Sequence, residues 1–325
     1  MSAFLKFVAT LLAAFAVLYP RLARSQPYPS KPIHVVVPFT AGGGNDLLAR
    51  TIGEKLNAAW GQPVIVDNRP GAGGNIGAEL VAKAPPDGYT FLIAPNSVFT
   101  INPTLYDKVA FDPVRSFVPV TLLGAVPIVL VVNSSVPANS VKELIALARA
   151  KPDALSYASS GSGSPQHLSA ELFKSMTGIR MVHVPYKGAA PAITDLLGGQ
   201  VQVLFGPMNT VLAHIKSGTL SALGVATDKR LAYFPDLPTI AEAGVPGYYS
   251  DLWFGLVAPT GTPKEIIDRL NREVGKILAQ ADVKEKLSAQ GIEPSTTTTE
   301  EFAALIKTDL ARWAKVIKDS GARAE

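Results

Sequence analysis

Short apolar runs alternate with helical patterns along most of this chain, and that alternation limits its fold more than any other feature. Ile33–Val37 is apolar almost throughout, as expected of a strand buried on both faces. Leu48, Ile52 and Leu56 then fall four apart, on one side of a helix that Gly61 can end. Strand patterns at 64–66, 89–94, 155–158, 181–184, 201–205 and 220–225 are interspersed with helical ones at 76–83, 166–176 and 191–197. Ser140, with Glu143 three residues on, reads as a capping box that opens a further helix. Strands separated by helices build parallel sheets with helical crossovers, so an α/β fold is expected.

The tail reads differently. Thr262-Pro263-Lys264-Glu265 has the pattern of a capping box with proline at the first helical position, opening a helix to about residue 280. A short helix ends at Gly291. Another runs from about 299 to 320, with Phe302, Leu305, Ile306, Leu310, Trp313 and Ile317 as its apolar stripe. Helices without strands between them must cover something already built, so the tail is expected to return to an earlier domain. A length of 325 residues, 47% of them hydrophobic, is enough for two domains.

Residues 1–25 are set apart from the fold. Lys6 precedes an apolar run of about 13 residues, and Ala23 and Ser25 supply small residues at the positions a signal peptidase reads. The run is short of the roughly 20 residues a membrane span needs, so a cleaved signal peptide is expected. Export without a cysteine for a lipid anchor points to the periplasm. The absence of cysteine also excludes disulfides, thiolate metal sites and a cysteine nucleophile. The full chain has 30 basic and 26 acidic residues; without 1–25 the count is 27 against 26, a net +1. No basic stripe stands out, and nucleic acid is not an expected partner.

Three loops of small residues follow strand patterns and precede helices: 38–46 (PFTAGGGND), 69–77 (RPGAGGNIG) and 159–167 (SSGSGSPQH). A helix start offers unpaired N–H groups and the positive end of the dipole, and glycine lets a ligand oxygen come close. The pattern suits an anion, although a tight turn alone would also look like this. Dinucleotide binding fails on spacing, since Gly71, Gly73 and Gly77 give G-x-G-x-x-x-G and no acid follows at the ribose position. Hydrolysis has little support. The SGSGS run at 160–164 is not a nucleophile elbow, and His167 beside Ser160, Ser162 and Ser164 reads more simply as a first-turn residue. His34, His167, His183 and His214 sit in separate elements, and no metal and no cofactor are expected. Asp46 lies in a first turn, four before Arg50, which suits a structural pair; the alternative is contact with a cationic part of a ligand.

With these motifs in hand, the chain resembles a known family. The segments 38–50, 67–90, 159–174, 183–201, 214–227 and 253–263 are similar, in order, to those of the Bug family, the extracytoplasmic solute-binding receptors of tripartite tricarboxylate transport systems. The resemblance implies an α/β, two-lobed periplasmic binding protein fold of type II with two crossing segments, near 124–132 and 250–257. The implied division is 26–124 for lobe one, 125–250 for lobe two and 251–325 returning to lobe one. It implies no enzyme but capture of a small organic solute, a carboxylate or a related compound. The implied partners are the membrane subunits of a tripartite tricarboxylate transporter, or a signalling receptor in a sensor alternative; a monomer is expected. Carried over position by position, ligand-binding residues would be Phe39, Thr40, Ala41, Gly42, Gly43 and Asp46, with Asn96 and Ser97, on the first lobe. On the second they would be Ser159, Ser160, Gly161, Ser162, Gly163 and His167, with Asn209. The chain departs from the family pattern at Asn45 and at Gly206, where an aspartate is usual. Loss of that acid would favour an anionic ligand over one with an ammonium group.

Overall fold

In the computed structural model, β1 (Ile33–Val37) leads through the first glycine loop into α1 (Gly44–Trp60), which ends at Gly61 in a left-handed conformation. The structure describes residues 28–186 and 188–324. The segment read as a signal peptide lies outside them. Lys31–Glu325 forms a compact unit of its own.

The first strands and helices follow the alternation: β2 (Val64–Asn68), α2 (Asn75–Ala82) and β3 (Thr90–Pro95). A helical stretch at 97–101 and α3 (Asn102–Leu105) precede the 17-residue strand β4 (Phe117–Asn133). Then come α4 (Val141–Ala150), β5 (Ser156–Ser159), α5 (Pro165–Thr177), β6 (Val182–Pro185) and α6 (Ala189–Leu197). They are followed by β7 (Val203–Pro207), α7 (Met208–Lys216) and β8 (Leu220–Val225). The chain closes with β9 (Asp251–Pro259), α8 (Lys264–Ala279), α9 (Ala281–Ser288), β10 (Glu293–Pro294) and α10 (Thr299–Ser320).

One strand belongs to two sheets. Residues 117–127 of β4 pair with β9, giving a first sheet in the order β2-β1-β3-β9-β4-β10. Residues 128–133 pair with β7 on one side and β8 on the other, giving a second sheet β8-β4-β7-β5-β6. These are the two α/β lobes. Parallel pairing holds for β2-β1-β3 and for β7-β5-β6. The crossing strands break the parallel rule, because β4 runs out of one sheet and β9 runs back, so their neighbours are antiparallel. Near the changeover Gly124 has φ +149, and a Cβ there would stand 2.6 Å from the Glu293 carbonyl oxygen. Glycine lets β10 lie against the crossing strand at this point.

Strand direction decides which edges of the lobes face each other. β1 and β3 run parallel to β4 within the first sheet, because each step across β9 reverses direction twice. Their C-terminal ends therefore lie on the edge from which β4 leaves. In the second sheet β7, β5 and β6 run against β4, so their C-terminal ends lie on the edge where β4 enters. The loops after β1, β2 and β3 thus face those after β5, β6 and β7 across the crossing. This is the carboxyl-edge crevice where open α/β sheets bind ligands.

The helix starts follow their sequence patterns only in part. Ser140 accepts from the Glu143 amide, but Glu143 reaches back to the amide of Asn139, 2.7 Å away, rather than to Ser140. Thr262 makes no cap. Its hydroxyl donates to the Pro259 carbonyl at 2.8 Å, and Pro263 occupies the cap position. The full capping box is at Thr298 and Glu301. The last helix also does more than cover one lobe. Phe302 and Ile306 enter a core with Leu92, Phe99 and Trp253 of the first sheet. Trp313, Val316 and Ile317 enter another with Leu168, Phe173 and Tyr248. The return to an earlier domain therefore describes its first half, while its second half packs on the α5 side of the junction.

Candidate functional site

The first-lobe loop is held from behind by a carboxylate. Asp46 is buried, and its Oδ2 accepts from the Gly42 amide at 3.0 Å and from Arg50 Nε at 2.9 Å. Its Oδ1 accepts from Asn68 Nδ2 at 3.1 Å, and the same amide group donates to the Phe39 carbonyl. The Arg50 bond leads the causes that lower the Asp46 pKa, so the group is anionic. The Gly42 amide is therefore committed to Asp46, while Thr40, Ala41, Gly42 and Gly43 remain exposed. Half-buried Phe39 lies over the second glycine loop, with ring atoms 3.2 Å from where a Cβ on Gly74 would be.

The α1 helix start differs from its counterpart in the second lobe. No side chain caps it; the cap residue is Gly43, in an extended conformation. Helix α5 is capped by Ser164, which accepts from the His167 amide, and it begins with Pro165. An uncapped start leaves N–H groups and the dipole's positive end for a ligand. No atom lies within 4 Å of a Cβ built on Gly43.

The second-lobe loop is tied largely to itself. Ser159 is fully buried, and its hydroxyl lies 2.7 Å from His183 Nε2 and 3.1 Å from the Gly161 carbonyl. Ser160 donates to Gln166 Oε1 at 2.9 Å. The Gly163 amide donates to His167 Nδ1 at 3.0 Å, and His167 Nε2 faces Glu171 at 4.0 Å. His167 lies flat against His183, with ring centroids 3.9 Å apart, and Tyr157 stacks beyond. Burial and the neighbouring His183 push the His167 pKa down to about 4, so it is neutral at ordinary pH. An acceptor at Nδ1 and a lowered pKa make His167 a brace for the loop, not a base aimed at Ser160 or Ser164. Ser160, Gly161 and Ser162 are half-buried at the loop's surface.

The remaining carried-over residues lie nearer the crossing. Asn96 is 1% exposed and donates to the Asp251 carbonyl at 2.9 Å, fastening the end of β3 to the start of β9. Its Oδ1 is buried without a protein partner. Ser97 is half-buried beside it. Asn209 is exposed and bridges the lobes by donating to the Gln290 carbonyl at 3.1 Å. Gly206 lies elsewhere: a Cβ there would meet Val211 at 2.9 Å and Leu204 at 3.1 Å. The position faces the apolar core of the second lobe, so it carries no argument about the charge of the ligand.

Sequence reasoning passed over Asn68 and Glu171, and weighed His183 only as a metal ligand. Nothing local marks His183 as the partner of Ser159, because parallel pairing of β5 and β6 across a whole helix brings them together. It also passed over a buried charge cluster at the crossing. Asp251, the first residue of β9, accepts from the Tyr249 hydroxyl at 2.5 Å, and its other oxygen has no partner. Asp309 and Arg312 of α10 lie close by, and Arg312 also donates to the Tyr249 carbonyl. Burial raises the Asp251 pKa to about 6 and raises that of Asp309 as well.

Two α/β lobes, joined by strands running out and back, with ligand-ready loops facing across the crossing, define a solute-binding protein. Residues 48–322 match the family model described as the tripartite tricarboxylate transporter family receptor, and the chain belongs to that family. It is 38% identical over 324 residues to Protein BugT of Bordetella pertussis, covering 99% of each chain. Among solved structures it is similar to R. palustris Rpa4515 with adipate, at 42% identity and a TM-score of 0.75, over 91% of this chain and 99% of that one. It is also similar to MatC from Rhodopseudomonas palustris with bound malate, at 32% identity and a TM-score of 0.71, over 89% of this chain and 100% of that one. The chain is thus a receptor that binds a solute, not an enzyme.

Proposed function

We propose that this receptor captures a small organic carboxylate between its lobes in the periplasm, and presents it to the membrane subunits of a tripartite tricarboxylate transporter. The observation that carries the reading is the uncapped start of α1 behind exposed Thr40–Gly43, on the edge that faces Ser160–Ser162. Main-chain N–H dipoles there suit a carboxylate without any basic side chain. The adipate and malate bound by two related receptors support the same class of solute. In this reading residues 1–25 are a cleaved signal peptide. Lobe one comprises 26–124 and 251–325, lobe two 125–250, and the mature receptor acts as a monomer. Asp46, His167 and Asn96 hold the loops in place, while Thr40–Gly43 and Ser160–Ser162 meet the solute. Ligand that bridges the lobes favours closure through its higher affinity for the closed form.

The test is thermal unfolding of refolded, ligand-free protein against mono-, di- and tricarboxylates, amino acids and neutral amides. A carboxylate at 100 times its Kd should add about 2.7 kcal/mol. In a chain of this size that is a rise of about 5 °C. A shift confined to amino acids or amides, with no response to any simple carboxylate, refutes the proposal.

A further inference from the structure

The short helix α3 and the residue after it touch two of the small-residue loops, one on each side of the crossing. At the loop after β2, Asn102 Nδ2 donates to the Gly73 carbonyl at 2.9 Å and lies 2.8 Å from Asn75 Oδ1. Tyr106 closes over the same glycine: a Cβ on Gly73 would collide with its hydroxyl and stand 3.2 Å from Cζ. At the loop after β5 the contact is Leu105. A Cβ on Gly163 would run into Leu105 Cδ2, and would stand 3.0 Å from Cδ1 and 3.2 Å from Cγ. Leu105 is itself held from behind. It is buried in a core with Ile101, Leu168, Phe173 and Trp313, and its carbonyl accepts from the Ala324 amide at 3.2 Å. Gly163 is buried, whereas Ser160, Gly161 and Ser162 lie half-buried at the loop's surface. Its φ is +76, and its amide is spent on His167 Nδ1. Glycine suits that position both for its backbone and for the close approach of Leu105.

We propose that Leu105 is a positioning residue for the solute site: its side chain seats the loop after β5 through Gly163, and so sets where Ser160–Ser162 stand. The inference rests on the reading of these loops as the solute site. Gly163, carried over from the family as a ligand contact, is in this assignment the socket for that side chain. The Gly163 amide meets His167 Nδ1 while the loop rests on Leu105, so the packing contact and the His167 brace act in series. Truncating Leu105 leaves a void under the loop. The loop then shifts, the amide leaves Nδ1, and water reaches the imidazole. The hydroxyls at the loop's surface lose their fixed position at the same time.

The test uses the receptor without any solute, so its failure is separate from a failure of the carboxylate reading. Leu105→Ala, Leu105→Met and Gly163→Ala are compared with the unmodified protein by amide hydrogen exchange and by NMR titration of the histidine rings. Val131, fully buried within β4, reports opening of the whole fold. In Leu105→Ala, exchange at Gly163 should rise about tenfold or more beyond any rise at Val131. The His167 ring, at about 4 in the unmodified protein, should then titrate nearer 6.5 than 4, because it regains water and loses a donor that favours its neutral form. Methionine has a similar volume and should restore both readouts. Gly163→Ala pushes the loop off Leu105 without emptying the core, so it should move His167 in the same direction, and it decides the matter if Leu105→Ala does not fold. Exchange at Gly163 that only follows Val131 in Leu105→Ala, or a His167 titration unmoved in whichever variant is folded, overturns the assignment and leaves Leu105 as core packing alone.

Discussion

Replacing Asp251 with asparagine should remove a specific part of this receptor's sensitivity to pH. Asp251 is buried at the start of the return strand, where its register partner is Pro127 of the crossing strand. Tyr249 donates to one carboxylate oxygen and the other has no partner. Desolvation is the largest influence on its ionisation, and Asp309 and Asp228 add to it; the Tyr249 hydroxyl and Arg312 oppose them without cancelling them, so the pKa rises from 3.8 to about 6. A raised carboxyl pKa means that the folded state holds the proton more tightly than the unfolded chain does. The stabilisation is fully present below pH 3.8 and is lost as pH rises through about 6, after which it changes no further. Between pH 4 and pH 7.5 the linkage amounts to about 2–3 kcal/mol. An asparagine side chain at this position cannot ionise, so the variant should lose that much less stability than the unmodified protein over the same interval. Thermal melts across the interval should show the two proteins' midpoints diverging by roughly 5 °C. Because each protein is its own reference, any fixed cost of the amide cancels. Parallel melting curves from pH 4 to pH 7.5 would refute the reasoning, since they would mean that Asp251 is already ionised or already hydrated at pH 4.

Other perturbations separate the binding surface from its supports. Gly43→Ala should cost only about 1 kcal/mol, since the new methyl touches nothing and the loss is confined to alanine being a poorer helix cap than glycine. It should still weaken carboxylate binding about tenfold by blocking approach to the α1 amides, which calorimetry on a responding ligand can measure. Asp46→Asn should cost about 2 kcal/mol by urea denaturation, because it turns an acceptor for Gly42, Arg50 and Asn68 into a group with fewer acceptor sites. Gly206→Asp should lower stability by about 3 kcal/mol or more by placing a carboxylate against Val211 and Leu204. A folded Gly206→Asp protein with a switched preference for amino acids would return that position to the cleft.

Much of the architecture was legible in the residues because its causes are local. The apolar run of β1, the helix stripe ended at Gly61 and the Thr298–Glu301 cap each depend on neighbours within a few positions. The glycine loops were legible as loops for the same reason. Their division of labour was not. Gly42 and Gly43 are adjacent, yet Asp46 takes the amide of the first and no side chain caps the helix at the second. Thr262 resembles a cap in sequence but is claimed by the Pro259 carbonyl, because the turn before it brings that oxygen within 2.8 Å.

The sequence by itself determined the alternation of strands and helices, the positions of the small-residue loops and, through ordered motifs, the family. Tertiary structure decided which loops face each other, because that depends on the direction of β4 through two sheets and on no local pattern. It paired Ser159 with His183 across 24 positions and brought Asp251 beside α10, whose Asp309 and Arg312 are distant in sequence. It also moved Gly206 from the cleft to a core. Charge burial and loop placement arise from contacts between distant segments, and only the folded chain brings those segments together.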